Sequence, residues 1–272
     1  MNDDVARVDI HSHLVPGVDD GARTLDDALE SIDRMMALGI RTILTTPHFD
    51  ASLLEGPGGS ERIEEVEKAF AHLTAAAAER FPTLDLRRGF EIMLDDPSPD
   101  LSDVRLRLAG TSFVLVEWAS MRVPPGAAAV LERLVERGWR PVVAHPERYR
   151  DVGDIAAVAS RWKDVGALLQ VNHGSLTGRY GSRAERGARS LLESGLVDYL
   201  ASDHHGRPHL ELQLDEVVRQ LENSDAEEQI SMLIRTNPLR LLDDMEPLPV
   251  RPIRMGRGWR DRLRRLIRPE AP

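Results

Sequence analysis

The sequence predicts a parallel α/β barrel, on three observations. Short apolar runs alternate with amphipathic helical stretches along most of the chain, the pattern of strands joined by helical crossovers. Seven of those runs end in histidine, a carboxylate or an amide. Such residues gather at the carboxyl ends of the strands in closed parallel barrels, whereas an open sheet holds its ligand at one switch point and uses fewer strand ends. With 272 residues, the chain is long enough for one α/β domain with a sizeable core.

The first run, VARVDI, leads into His11 and His13. A loop to Arg23 follows, holding Pro16, Gly17 and Gly21. Thr24 suits a helix N-cap, with Asp26 and Asp27 in the first turn. Leu25, Ala28, Leu29, Ile32, Met35 and Met36 then recur at helical spacing until Gly39. The second run, IRTILTTP, reaches His48. After a Pro/Gly-containing loop over 49–59, Ser60 is expected to cap a helix with Ile63, Val66, Phe70 and Leu73 on one face. LRRGF reaches Glu91, a loop with Asp95, Asp96, Pro97 and Pro99 follows, and SFVLV reaches Glu117. Helices are expected near 127–137, 155–165, 183–194 and 212–221. Among them RPVVA reaches His145, LLQV reaches Asn172, and VDYLAS reaches Asp203 and His205.

Composition narrows the function classes. No 18-residue apolar stretch exists to span a membrane, and the acidic start MNDDVAR is not expected to be a secretory signal. The lack of cysteine excludes disulfides, thiolate–zinc sites and a cysteine nucleophile. The net charge is −10, unevenly spread: residues 249–272 hold eight arginines against Asp261 and Glu270. An acidic body argues against broad nucleic-acid binding. We therefore read two units, a domain over 1–248 and a basic tail over 249–272. In the tail, Trp259, Leu263, Leu266 and Ile267 could share one helix face with arginines opposite. That pattern suits an anionic membrane surface, and it equally suits an unstructured basic extension.

Side chains alternate faces in extended chain, so His11 and His13 point together, as do Asp203 and His205, while Ser12 and His204 turn away. His-x-His can bind one ion with little ordering cost. His11, His13, Asp20, His48, Glu91, Glu117, His145, Asp203 and His205 are the candidate metal ligands, enough for two or three ions. Imidazole and carboxylate donors suit zinc, manganese or iron. Any one of them alone would more often be a cap or surface group; it is their recurrence at successive strand ends that indicates a shared site. Clustered cations share their charge with phosphate oxygens. Arg148 and Arg207 lie close in sequence to His145 and His205 and are candidate phosphate forks, with a salt bridge as the plainer role. His72 reads as solvent-facing, and His173, His204 and His209 lack the alternation. Asp19 reads as a turn residue; Asp95, Asp96 and Asp100 read as loop carboxylates.

The segments DIHSHLVPGVDDGA, TPH, GFEI, LVEW, PVVAHPERY, LLQVNHGSLTGRYG, VDYLASDHHGRP and TNPLRLL, in that order, resemble the PHP (polymerase and histidinol phosphatase) superfamily. Within it the chain is similar to the bacterial manganese-dependent tyrosine-protein phosphatases of the CpsB/YwqE type. The segment after Asp203 is shorter than that pattern, and the tail lies outside it. The resemblance implies a distorted seven-stranded TIM-like barrel, (β/α)7, holding Mn²⁺, with iron or zinc as alternatives. It implies one ion on His11, His13, Glu91 and Asp203, a second on Glu91, Glu117 and His145, and a third on Asp20, His48 and His205. It implies attack of metal-activated hydroxide on phosphotyrosine, with Arg148 and Arg207 holding the phosphoryl oxygens and no phosphoenzyme. The implied partner is a bacterial tyrosine autokinase of capsule or exopolysaccharide export. The implied location is the cytoplasm, with room for contact at the inner membrane face and for a homo-oligomer.

Three rival readings stand beside it. One is a small-molecule phosphatase of the histidinol-phosphatase type. Another is a binuclear amidohydrolase, many of which use a strand-end carbamylated lysine; Lys68 and Lys163, the only lysines, follow no expected strand. The third is a metal-loaded scaffold docked by its tail.

Overall fold

The computed structural model describes residues 6–254, apart from 208, 223 and 225. The chain runs β1 (Arg7–Asp9), α1 (Leu25–Ala37), β2 (Ile40–Thr45), β3 (His48–Asp50), α2 (Pro57–Arg80), β4 (Asp85–Arg88), β5 (Glu91–Met93) and β6 (Phe113–Glu117). It continues with α3 (Ala127–Glu136), β7 (Arg140–Ala144), α4 (Ile155–Asp164), β8 (Leu168–Asn172), α5 (His173–Leu176), α6 (Gly181–Glu193) and β9 (Tyr199–Ala201). Helices α7 (Leu214–Glu222), α8 (Glu227–Ser231) and α9 (Asn237–Leu242) follow, with a π-helical turn, Met232–Thr236, before α9.

All pairings between these strands are parallel. One sheet has the order β1-β2-β4, the other β3-β5-β6-β7-β8-β9. Their far edges meet: Ser12 bridges His204, the His13 N–H donates to the His204 carbonyl at 2.8 Å, and the Asp203 N–H donates to the His11 carbonyl at 2.9 Å. Near the other junction the ladder continues across two interruptions. Gly89 N–H donates to Thr45 O at 3.1 Å and Glu91 N–H to Pro47 O at 3.1 Å. The result is a barrel-like parallel α/β fold. At Gly89 a side chain has no room, since a Cβ there would lie 2.9 Å from the Arg107 carbonyl and the Leu108 Cα.

Alternation along the strands divides the core. Val8, Ile10, Phe113, Leu115, Val142, Ala144, Tyr199 and Ala201 form an inner cluster with Leu44, Leu108, Leu168 and Leu241. Their strand neighbours Val114, Val116, Val143 and Leu200 instead join the larger cluster that includes the helices' buried faces. Strands buried on both faces are what a parallel sheet covered by helices requires.

Helix α1 starts as its sequence indicates: the Thr24 hydroxyl accepts from Asp27 N–H, and the Asp27 carboxylate accepts from Thr24 N–H. Helix α2 does not. It begins at Pro57 after Gly56, so Ser60 lies inside the helix and caps nothing. Proline is tolerated at the first helical position because that N–H has no intrahelical partner. Much of the loop expected over 49–59 is ordered as the end of β3 and a 3₁₀ turn, Ala51–Glu55. Past α9, the Asn237 side chain accepts from Leu248 N–H and donates to Leu248 O. Val250 and Ile253 are buried, and Ile253 N–H donates to Leu192 O at the end of α6. Packed chain therefore continues past residue 248, where composition had set the tail's start. The tail positions Trp259, Leu263, Leu266 and Ile267 lie outside the described residues. No helix among the described residues is long and apolar enough to cross a membrane.

Candidate metal centre

The site is built where the strands end. His11 and His13 leave β1 in near-extended chain, both with 0 % exposure. The His11 ring Nδ1 lies 2.8 Å from Gln170 Oε1. The His13 ring Nδ1 lies 2.8 Å from Asp19 Oδ2, while the other Asp19 oxygen accepts from Gly21 N–H at 2.9 Å. Gly21 lets this loop close over His13, since a Cβ there would run into the His13 carbonyl and Cβ. The two Nε2 atoms are thereby brought 3.3 Å apart.

Glu91 lies at the centre. Its Oε1 is 2.8 Å from His145 Nε2. Its Oε2 is 3.3 Å from both His11 Nε2 and His13 Nε2 and 3.1 Å from His48 Nδ1. That oxygen is buried and accepts no hydrogen bond. Glu117 Oε1 lies 3.2 Å from His48 Nδ1, and Glu117 Oε2 lies 3.8 Å from His145 Nε2. Asp203 Oδ1 lies 3.5, 3.4 and 3.5 Å from nitrogens of His11, His13 and His205. Asp20 Oδ1 is 3.5 Å from His48 Nε2 and 3.4 Å from His205 Nε2. Asp20, His48 and His205 are the more open side of the site, with side chains 64 %, 35 % and 24 % exposed.

Four overlapping groups have donor atoms close enough to share an ion. They are His13/Asp20/His48/His205, His11/Glu91/His145, His11/His13/Asp203 and His48/Glu91/Glu117. Together they use all nine residues singled out in the sequence. The grouping is more interlocked than the sequence suggested: His13 also reaches the Asp20 set, His11 the His145 set, and His48 the Glu117 set.

The electrostatics show what the cavity wants. Burial opposes charge on the imidazoles, yet facing carboxylates win. Asp19, Asp203 and Glu91 push the His13 pKa well up, Glu91 and Asp203 push His11 up, and contacts with Asp20 and Glu117 bring His48 to about 10. Burial would raise Glu91 and Asp203, but the surrounding histidines hold both below the usual carboxylate range. Hydrogen bonds from His205 and His48 hold Asp20 far down. The carboxylates draw protons onto the imidazoles; divalent ions would satisfy both donor sets. The donors are imidazole and carboxylate without thiolate, and the orphaned Glu91 oxygen points into their midst, so the residues fit such ions.

Two of the nine candidate positions hold non-glycine residues in left-handed backbone, His145 at φ 35° and Asp203 at φ 50°. Such conformations cost on the order of 1–3 kcal/mol each and cluster at functional sites. Asp203 is thus not extended, yet His205 still reaches the site and His204 does not. His204 and His173 are buried, each with an Nε2 that lacks a hydrogen-bond partner, and burial brings both pKa values down to about 3. His72 and His209 are exposed.

Arg148 donates to Asp203 Oδ2 at 2.6 Å and stacks over the Tyr180 ring at 4.3 Å. Arg207 donates to the carbonyls of Asp20 and Gly21, which braces the loop carrying Asp20. Both sit at the site, and each is partly committed to holding it. Sequence reasoning missed Asp19 and Gln170. Period-2 alternation could have found Gln170: it shares a strand face with Asn172, inside an otherwise apolar run.

Residues 7–243 match the family described as capsular polysaccharide synthesis, CpsB/CapC. The chain is 30% identical over 200 residues to tyrosine-protein phosphatase YwqE of Bacillus subtilis, covering 73% of this chain and 77% of that one. It is 30% identical over 207 residues to tyrosine-protein phosphatase CpsB of Streptococcus agalactiae, covering 73% and 82%. A solved structure from work on YwqE of Bacillus subtilis and CpsB of Streptococcus pneumoniae, described as metal-dependent tyrosine phosphatases, superposes with TM-score 0.77 at 27% identity, covering 92% of this chain and 100% of that one. A phosphotriesterase homology protein from Escherichia coli, at TM-score 0.50, 12% identity and coverage of 86% and 97%, shares the fold alone. The chain is a member of the CpsB/CapC family.

Proposed function

We propose that this chain is a metal-dependent protein-tyrosine phosphatase acting on a bacterial tyrosine autokinase in capsule or exopolysaccharide control. The observation that carries it is the buried nine-residue donor cluster around Glu91, in a family whose named members are tyrosine phosphatases. The nine strand segments read as seven barrel positions, β2 with β3 and β4 with β5 each forming one interrupted strand. Two or three ions fit the cluster, with Mn²⁺ preferred and iron or zinc as alternatives.

Bound divalent ions would supply positive charge for phosphate oxygens and acidify water at neutral pH. The protein's own residues do the rest. His11, His13, His145, His48, His205, Asp20, Asp203 and Glu117 hold the donor geometry, and Glu91 offers one oxygen to each half of the cluster. Arg148 and Arg207 have N–H groups left to orient a phosphoryl group at the more open side. Water adds to phosphorus, the bond to the tyrosine oxygen breaks, and phosphate and tyrosine leave. The tyrosine hydroxyl has a pKa of about 10, so its oxygen departs far more readily than a serine alkoxide.

Many binuclear amidohydrolases use a strand-end carbamylated lysine. Lys163 is instead bonded to Asp198, at the opening end of β9, and Lys68 is exposed on α2. The test is hydrolysis of a phosphotyrosine peptide with Mn²⁺. Full activity after thorough chelation, or in His11→Ala with His13→Ala, would sink the mechanism.

A further inference from the structure

We propose that Gln170 and Asn172 are positioning residues: they carry a one-way hydrogen-bond relay from Asp203 to His11 that fixes the His11 ring with its proton on Nδ1 and its Nε2 turned toward the metal cluster. This rests on the reading of that cluster as a metal site.

The argument starts at Asp203. An ionised carboxylate only accepts hydrogen bonds. Asp203 Oδ2 accepts from Arg148 at 2.6 Å and from Asn172 Nδ2 at 2.7 Å. The Asn172 amide nitrogen is thereby committed, so its oxygen faces the other way. That oxygen accepts from Gln170 Nε2 at 2.9 Å. The Gln170 oxygen then has one direction left, toward His11 Nδ1 at 2.8 Å, which must carry a proton to complete the bond. Reversing either amide would set oxygen against oxygen or N–H against N–H away from bulk solvent, because Gln170, Asn172 and His11 are each 0 % exposed. The acceptor-only character of Asp203 is thus transmitted through two neutral amides to a ring on another strand.

Three consequences follow for the site. His11 Nε2 is the ring atom left to face His13 Nε2 and the cluster, and the His13 ring is turned the same way by the Asp19 carboxylate. Asp203 has Oδ2 filled by Arg148 and Asn172, which leaves Oδ1 to face the cluster. The relay itself is held in place from behind: Glu147 Oε1 accepts from the Asn172 backbone N–H at 3.0 Å and from the Ser175 hydroxyl at 2.6 Å. Gln170 and Asn172 meet the cluster through His11 and Asp203.

The test uses the full chain with ¹⁵N-histidine label, diamagnetic Zn²⁺ for the ring signal and Mn²⁺ as the probe of affinity. Gln170→Met keeps length but removes the acceptor; Gln170→Glu keeps the acceptor and needs no amide to orient it. Asn172→Leu removes the link without touching His11. The protected His11 Nδ1–H resonance is expected in wild type and Gln170→Glu, and lost in Gln170→Met and Asn172→Leu. Mn²⁺ affinity, read by chelator competition, should fall by about 10–100-fold in Gln170→Met and stay within a few-fold of wild type in Gln170→Glu. In Gln170→Glu with Asn172→Leu the ring resonance should return. Wild-type affinity and an unchanged ring signal in Gln170→Met overturn the relay, as does loss of the signal in Gln170→Glu. If Gln170→Met fails to fold, the return of the signal in the double variant decides. A wild type that hydrolyses no phosphotyrosine while these variants still move the ring signal overturns the proposed activity and leaves the relay standing.

Discussion

Glu91 is the residue on which the site turns, since its two oxygens face four imidazoles and one of them has no hydrogen-bond donor. Glu91→Gln should lower kcat/KM at least about 100-fold and weaken Mn²⁺ binding, because a neutral amide cannot balance the charge of two ions. Steady-state kinetics and metal titration check both. In a metal-free preparation the protonated imidazoles would balance these carboxylates, and this gives a pH signature. His11, His13 and His48 have raised folded pKa values, that of His48 being about 10. Their contribution is complete below the unfolded value of about 6.5 and fades as pH rises toward 10. Glu91, Asp20 and Asp203 are lowered, so theirs is complete above the usual carboxylate range and fades in acid. Metal-free protein should therefore be most stable at mildly acidic pH and lose Tm toward pH 10. The Mn²⁺-loaded protein should hold its Tm over that alkaline window; parallel melting curves at matched pH test the difference. At this scale the sequence was informative about donors and silent about their supports. His205 could be told from His204 by alternation, and both ended where that rule put them. Asp19 looked like a turn residue because its bond to His13 depends on how the loop folds back, which spacing does not encode.

Elements were legible where their signals are local. The Thr24–Asp27 capping box marks the start of α1 in both sequence and structure. Thr24→Ala should cost about 1 kcal/mol of stability and leave kcat/KM unchanged, because the cap lies apart from the donor cluster; denaturant unfolding and kinetics check the two halves. The start of α2 misled because Ser60 is a good cap by type, while Pro57 opens the helix a turn earlier. The interruptions between β2 and β3 and between β4 and β5 could not be read at all, since Gly89 is small only on account of Arg107 and Leu108 from a distant loop. Gly21→Val makes the functional counterpart. It should push the Asp19–Asp20 loop off His13 and lower Mn²⁺ affinity more than it lowers the Tm of metal-free protein. Equal losses in both would remove the claim that this glycine serves the site.

For the whole molecule, the parallel architecture was legible because seven apolar runs each led into a histidine, a carboxylate or an amide. The boundary of the packed chain was not, because arginines at 251 and 254 disguise the apolar Val250 and Ile253 between and before them. Truncation after Arg254 should keep the Tm of the full chain, and truncation after Leu248 should lower it by several degrees; calorimetry separates the two. The truncation after Arg254 is also the right partner for the full chain in co-sedimentation with anionic vesicles, since any loss of binding then belongs to residues 255–272 alone. The place where those residues depart sets a geometric condition. Ile253 is tied to Leu192, and Pro252 lies against Gly195, both just before β9 begins, whereas Asp203 and His205 lie just after β9 ends. Ile253, next to the last described residue, thus lies at the end of the barrel opposite the donor cluster. A surface that held the chain at Ile253 would face that end of the barrel, with the donor cluster turned away from it. A phosphotyrosine fixed close to that surface would be out of reach, and only a long, slack segment could loop around the barrel to deliver one.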